Sequence, residues 1–263
     1  MTEDKDFAQF IKNVKALTKI DLSQYKEQQM KRRLTTLRLK RGYSNFADYF
    51  EAIRRDPDLL QEFLDRITIN VSEFWRNPNR WKTLEQRFIP EMVRTNRRPK
   101  VWSAACSTGE EPYTLAMILA EQIPLSQVSV LATDIDEGVL AKARQGVYSD
   151  RSVKDVPPQY LNKYFSRDQT MYAVSEELKR TVKFQRQDLL TDTFGTDFDL
   201  IVCRNVMIYF TDETKQMLYR KFADALTPGG ILFVGSTEQI FNPGQYGLET
   251  ADTFFYRKKA TLV

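Results

Sequence analysis

The chain has 263 residues, enough for one large domain and a small one, and 42% hydrophobic with 12% aromatic residues supports a packed core rather than a disordered chain. A net charge of +4 is a mild basic bias, compatible with an acidic partner and too weak to mark a nucleic-acid binder by itself. Histidine is absent, which excludes Ser-His-Asp and Cys-His nucleophilic systems and most zinc sites, so catalysis must come from carboxylates, Lys, Tyr, Cys, Arg or a cofactor, or need no general base.

Phe7, Phe10, Ile11, Val14 and Leu17 recur at three- and four-residue steps and predict a first helix. Residues 23–40 predict a second, with Met30, Leu34 and Leu37 on its apolar side and Gly42 as its stop. Ser44 is positioned to cap a third helix carrying Phe46, Tyr49, Phe50 and Ile53, and Pro57 to open a fourth with Leu59, Leu60, Phe63, Leu64 and Ile67. A polar break at 68–76 precedes a helix over 77–94 and a linker at 95–99.

From residue 100 the pattern alternates. Apolar runs at 101–105, 128–132, 182–185, 200–203 and 231–235 read as strands, separated by helical stretches, and 247–258 as a closing hairpin. That order predicts a parallel sheet covered on both faces. Residues 146–181 interrupt it with Pro157-Pro158, a short helix and the strand-like Met171-Tyr172-Ala173-Val174, and are expected to form a small inserted subdomain. The division expected is a helical domain over 1–76 and an α/β domain over 77–263. The two cysteines, Cys106 and Cys203, make no disulfide framework, no apolar run reaches the ~18 residues of a membrane span, and the start lacks an apolar signal core. A cytoplasmic protein without membrane insertion is expected.

Open parallel sheets bind ligands at the carboxyl ends of their strands. Three features stand at such ends. Ala104-Ala105-Cys106-Ser107-Thr108-Gly109-Glu110 is a small-residue turn that lets a ligand approach the backbone, but with one glycine it does not fit the dinucleotide fingerprint. Glu110 and Glu111 start the next helix, where they repel a phosphate and suit a cationic ligand. Asp134 ends the next strand. It either accepts hydrogen bonds from a ribose diol or, like Asp136, caps the following helix. Finally, the apolar strand before Arg204-Asn205 runs on through Val206-Met207-Ile208 to Tyr209-Phe210; polar side chains there serve a ligand or satisfy loop carbonyls.

These segments carry a resemblance. Residues 103–113 (Ser-Ala-Ala-Cys-Ser-Thr-Gly-Glu-Glu-Pro-Tyr) resemble the cofactor turn of the chemotaxis receptor methyltransferases, the CheR family; residues 68–76 (Thr-Ile-Asn-Val-Ser-Glu-Phe-Trp-Arg) resemble its interdomain segment, and residues 203–210 (Cys-Arg-Asn-Val-Met-Ile-Tyr-Phe) its fourth-strand signature. The likeness spans essentially the whole chain in the family's order. It implies a small all-helical N-terminal domain before a Rossmann-like class I methyltransferase domain of α/β type with an inserted β-subdomain. It implies S-adenosylmethionine as cofactor and no metal. Carried over by position, the cofactor contacts are Asn70, Ser72, Arg76, Glu110, Asp134, Asp188, Leu189, Arg204 and Asn205, with Arg76 and Tyr209 nearest the reacting methyl. The implied acceptors are glutamates on the cytoplasmic helices of a chemotaxis receptor. Ser72 stands where many members have Thr, and Trp75 where many have Phe. The insert is short, like that of members that need no receptor C-terminal tether, so none is expected here.

The chemistry suits a chain without histidine. A glutamate carboxylate is ionised at neutral pH and attacks a sulfonium methyl without a base, so the enzyme must supply alignment, worth roughly 7–11 kcal/mol. Arg76 can grip a carboxylate or pair with Glu73; Tyr209 can donate one hydrogen bond, face the sulfonium or pack in the core. The second helix carries Lys31 and Arg38 on one flank of its apolar stripe and Arg33 and Lys40 on the other, which is either a solvated face or a docking surface for an acidic receptor helix. A nucleic-acid substrate is disfavoured, because position 203–206 reads Cys-Arg-Asn-Val where adenine-N6 enzymes of this topology carry a Pro-Pro motif.

Overall fold

The computed structural model describes residues 3–68 and 72–260, which form two compact units: Met1–Ile69 with Tyr209–Lys215, and Asn70–Ile208 with Gln216–Val263. Asn70, one of the expected cofactor contacts, lies outside the described residues.

In the first unit, α1 (Glu3–Thr18), α2 (Glu27–Lys40), α3 (Phe46–Arg55) and α4 (Pro57–Ile67) enclose an aromatic core. Phe10 lies 4.9 Å from Phe46 and 5.8 Å from Phe63, ring centre to ring centre, and Phe7 5.1 Å from Phe46. The α3 cap is Asn45 rather than Ser44: its side chain accepts from the Asp48 N–H. Asp6 of α1 reinforces that end, its buried carboxylate accepting from the Phe46 and Ala47 N–H groups at 2.6 and 3.2 Å. Asp56 caps α4, with Pro57 in the first turn. Tyr25 pairs with Phe210 by an antiparallel bridge and a ring contact at 4.9 Å, and the Tyr209 carbonyl accepts from the Lys26 N–H at 2.9 Å.

The second unit opens with α5 (Pro78–Thr83), a π-helical turn (Leu84–Phe88) and α6 (Ile89–Thr95). One continuous helix was expected there; Pro90 has no N–H for the residue-86 carbonyl, and the ladder widens just before it. The chain then alternates through β1 (Val101–Ala104), α7 (Glu110–Ala120), β2 (Val130–Asp134) and α8 (Glu137–Gln145). The insert holds β3 (Val147–Ser149), α9 (Asp150–Val153), α10 (Pro158–Tyr164), β4 (Phe165–Asp168), β5 (Met171–Val174) and α11 (Glu176–Lys179). After it come β6 (Val182–Arg186), β7 (Phe198–Cys203), α12 (Asp212–Ala225, its first four residues grouped with the first unit), β8 (Leu226–Val234), β9 (Leu248–Asp252) and β10 (Phe255–Lys258).

The main sheet has seven strands in the order β6-β2-β1-β7-β8-β10-β9, parallel from β6 to β8 and antiparallel in the last two. β3, β5 and β4 form a separate antiparallel sheet. β1 is buried along its whole length, as expected of an apolar central strand. Its last residue, Ala104, lies opposite Thr133 of β2 and Cys203 of β7, so the three segments singled out in the sequence meet at one edge. This is the α/β sheet with inserted β-subdomain and all-helical N-terminal region expected of the chain.

Candidate active site

The turn after β1 is shaped by backbone that side chains rarely adopt: Ala105 at φ +58°, Ser107 at +49° and Gly109 at +96°. At Gly109 a Cβ would stand 2.9 Å from the Ala143 Cβ, so only glycine fits. Asp134 holds this turn. Its carboxylate accepts from the Ser107 N–H at 2.9 Å and the Asp136 N–H at 3.0 Å, and its carbonyl accepts from the Gln187 N–H at 2.9 Å beyond β6. One residue thus ties the ends of three strands. The helix-capping alternative goes to Asp136, which accepts from the Gly138 and Val139 N–H groups.

Asp134 and Glu110 are buried along this edge, and Glu111 beside them is partly enclosed. Burial pushes Asp134 up to about 6, offset by its two backbone donors, and Glu111 up to about 7, offset by Arg204 and the Ser103 hydroxyl. Glu110 is also raised by burial, against hydrogen bonds from the hydroxyls of Thr108, at 2.7 Å, and Ser72. Ser72 therefore does reach the first turn of α7. Beyond β6, the Asp188 carboxylate accepts from the Leu190 N–H, and the Leu189 carbonyl accepts from Lys221.

Arg76 lies between two residues in left-handed backbone, Trp75 (φ +51°) and Asn77 (φ +63°). Its carbonyl accepts from Arg204 Nη2 at 2.8 Å and Trp81 Nε1 at 3.0 Å. Upstream, Phe74 stacks edge-on against Tyr148 and Trp75 lies 4.8 Å from Tyr160, which fastens the segment to the insert. Arg204 is almost fully enclosed, with 3% of its side chain exposed. Nη2 also donates to Asn77 Oδ1 at 2.9 Å, Nη1 faces Glu111 at 3.7 Å, and the guanidinium lies over Trp81 and Phe233. Its fork is thus committed to the segment that presents Arg76. Asn205, next along, is left-handed at φ +61°. Tyr209 falls in the helical unit.

Of the four basic residues expected to dock a partner, Lys40 is exposed, Lys31 pairs with Asp4 at 2.5 Å, and Arg33 donates to the Arg66 carbonyl. Arg38 is a correction. It is buried, donates to the Ser44 carbonyl at 2.9 Å and lies 4.5 Å over the Phe46 ring. It stands four residues after Leu34 on the buried stripe, and it holds α2 to the start of α3.

Sequence reasoning missed Ser107 Oγ and Gln187 Oε1, buried atoms without a hydrogen-bond partner among the described residues, both on segments held by Asp134. It also missed Glu238, whose carboxylate receives N–H groups from the turn after β7. Buried carboxylate acceptors, an orphaned hydroxyl and a closely approachable turn fit a cationic ligand with hydroxyl and amino donors, the chemistry of adenosylmethionine. Among the described residues no group of three or more His, Cys, Asp or Glu could hold a metal ion, and no helix is long and apolar enough to cross a membrane.

Comparison with known proteins agrees with this chemistry. Residues 5–68 match the CheR methyltransferase all-alpha domain, and residues 70–255 the CheR methyltransferase SAM binding domain. The chain is 44% identical to the chemotaxis protein methyltransferase of Listeria innocua over 256 residues, 97% of this chain and 98% of that one; the Listeria monocytogenes protein matches to the same extent. The Escherichia coli chemotaxis protein methyltransferase is 35% identical over 231 residues, 84% of this chain and 79% of that one.

Proposed function

The chain belongs to the CheR methyltransferase family, and from that premise we propose that it transfers the methyl group of S-adenosylmethionine to glutamate side chains on the cytoplasmic helices of chemotaxis receptors. The observation that carries this reading is the row of enclosed carboxylates, the buried Glu110 and Asp134 and the partly buried Glu111, in a unit without histidine. They serve as acceptors for a cationic cofactor, and the reaction needs no base.

Adenosylmethionine, when bound, would supply an electrophilic methyl group to a glutamate oxygen, the electron pair of the broken carbon–sulfur bond staying on sulfur. Asp134 would accept from its ribose hydroxyls, Glu110 and Ser72 from its amino group end, and Asp188, Leu189 and Asn205 would complete its surroundings. Arg76 holds the incoming carboxylate as a guanidinium fork, which fixes its direction and offsets its loss of water. Arg204 acts one step back, through the Arg76 carbonyl. Tyr209 is the second group assigned to the reacting methyl, as a hydrogen-bond donor or as an aromatic face.

Lys31, Arg33 and Lys40 of α2 form the surface for an acidic receptor helix. The enzyme works in the cytoplasm and takes no nucleic-acid substrate. Nor does it need a tether: β4 and β5 are joined by only Gln169 and Thr170, a minimal hairpin. A receptor truncated at its C-terminus is expected to be methylated as fast as the intact one, and a large loss of rate would end that part of the reading.

The deciding experiment mixes the chain, methyl-labelled adenosylmethionine and receptor-bearing membranes. A receptor-sized labelled band that releases methanol in mild base is expected. Base-stable label, or label on nucleic acid, would overturn the proposal.

A further inference from the structure

Among the described residues, Glu238 is the most deeply buried of the carboxylates that the mechanism leaves unused. Glu238 follows β8 in a loop, is only 4% exposed, and has no ionic partner within 4.0 Å among the described residues. Such a group costs several kcal/mol to bury unless hydrogen bonds replace its water. Here backbone does so. Oε2 accepts from the Asn205 N–H at 2.7 Å and the Gly235 N–H at 2.8 Å, and Oε1 accepts from the Ile208 N–H at 3.3 Å.

Those donors are not random neighbours. Gly235 directly follows β8 and Asn205 stands two residues past the β7 end at Cys203, and β7 and β8 are paired in parallel with Cys203 opposite Val234. Glu238 therefore clasps two adjacent strand ends at the sheet edge where ligands bind. It also gathers the turn 204–208 around one point. Asn205 keeps a left-handed φ of +61°, strained for a residue with a Cβ, and its N–H is held in that state by the shortest of these bonds. Gly235 completes the clasp: a Cβ there would lie 2.5 Å from Glu238 Oε2 and 2.8 Å from the Asn205 nitrogen.

An apolar side chain in this place would leave those N–H groups without an acceptor. A carboxylate aimed at three N–H groups instead fixes the backbone from which the Asn205 amide projects. We infer that Glu238 is a positioning residue for the methyl-transfer site, acting on the cofactor through Asn205. The inference rests on the reading of Asn205 as a cofactor contact.

The test is a thermodynamic cycle on the full chain, titrating adenosylmethionine by calorimetry into the wild type, Glu238→Gln, Asn205→Ala and the double variant, with unfolding midpoints alongside. Glu238→Gln keeps the size but turns an N–H₂ toward one set of backbone donors. Affinity is expected to fall by about tenfold, the scale of a charge-assisted hydrogen bond. The double variant is expected to bind no more weakly than Asn205→Ala alone, because the effect travels through that side chain. Gly235→Ala, which pushes the carboxylate away with Glu238 still present, should reproduce the loss and serves if Glu238→Gln does not fold. Unchanged affinity in the Glu238 and Gly235 variants overturns the inference, as do losses in the double variant that multiply. No binding by the wild type would overturn the cofactor reading itself.

Discussion

The two units differ in where their buried charges gather. In the α/β unit, Glu110, Glu111, Asp134 and Glu238 are taken out of water at the ends of strands and satisfied by backbone N–H groups and hydroxyls. In the helical unit the core is aromatic, the buried charges Asp6 and Arg38 tie helix ends, and ion pairs such as Arg54–Glu51 and Arg41–Glu62 sit at the surface, where they contribute little. Buried acceptors with raised proton affinity mark a place where a ligand replaces water. Solvated charges on a helix can steer a partner. On the proposed reading the α/β unit is organised for chemistry and the helical unit for encounter.

The sharpest way to break that contrast is Arg76→Ala. The backbone at Arg76 is anchored by its carbonyl, through Arg204 and Trp81, so truncating the side chain leaves the anchors in place. Turnover is expected to fall by about 10²- to 10³-fold in the label-transfer assay, the usual cost of removing one aligned group from a transition state, with little change in the unfolding midpoint. Normal turnover would mean that the strained segment presents something other than a catalytic arginine.

Next in size is Asp134→Asn, with an expected ten- to hundredfold loss of cofactor affinity. It comes with a pH signature. The folded chain holds the Asp134 proton up to about pH 6 and that of Glu111 up to about 7, above the ordinary carboxylate values near 4. The native state therefore binds more protons between these limits. Stability from the two groups is full below about pH 4 and is lost as pH rises through 6 and 7. Cofactor binding runs the other way, because an ionised Asp134 is the better acceptor. Affinity at pH 5 is expected to be about tenfold below that at pH 7, and the slope to shrink in Asp134→Asn, where Glu111 still titrates. An undiminished slope would move the titration to another carboxylate.

How much of this was legible in the sequence follows from how local each signal is. The turn after β1, the Asp134 strand end and the closing hairpin are written in contiguous residues, and so was the alternation that predicts the sheet. Glu238 is not: a lone carboxylate in Ser236-Thr237-Glu238-Gln239 acquires its meaning only when β7 and β8 pair and bring residue 205 to it. Arg204 reads as a ligand contact because it follows a strand, and the long-range bond to the Arg76 carbonyl is invisible in one dimension. Arg38 had a signal that was overridden. It continues the Met30-Leu34 stripe at i+4, but its charge placed it with the surface run. The segment Tyr209–Lys215 was expected to stay with the strand before it, yet it packs with the helices through Tyr25, Gln24 and Lys26.

Arg38 tests the helical half of the comparison. Arg38→Ala removes a hydrogen bond to the Ser44 carbonyl and a guanidinium over Phe46, and is expected to cost about 2 kcal/mol. The check is a lower denaturant midpoint for helical circular dichroism. An unchanged midpoint would return Arg38 to the surface set.

The smallest effect is also the most specific to encounter. Lys31 and Lys40 stand on opposite flanks of α2, Lys40 in solvent and Lys31 beside the exposed Asp4 and 5.9 Å over the Phe7 ring. Reversing both to Glu changes the field of that face by four charges, and the unfolding midpoint is measured alongside because Lys31 also meets Phe7. Affinity for adenosylmethionine should not move. The rate of receptor methylation at limiting receptor should fall several-fold at low salt, and the difference should close as ionic strength approaches 1 M, where the screening length is about 3 Å. Equal rates at low salt would make the basic run a solvated face and nothing more. A defect that persists at high salt would mean contact rather than steering, and would place these lysines in the bound interface itself.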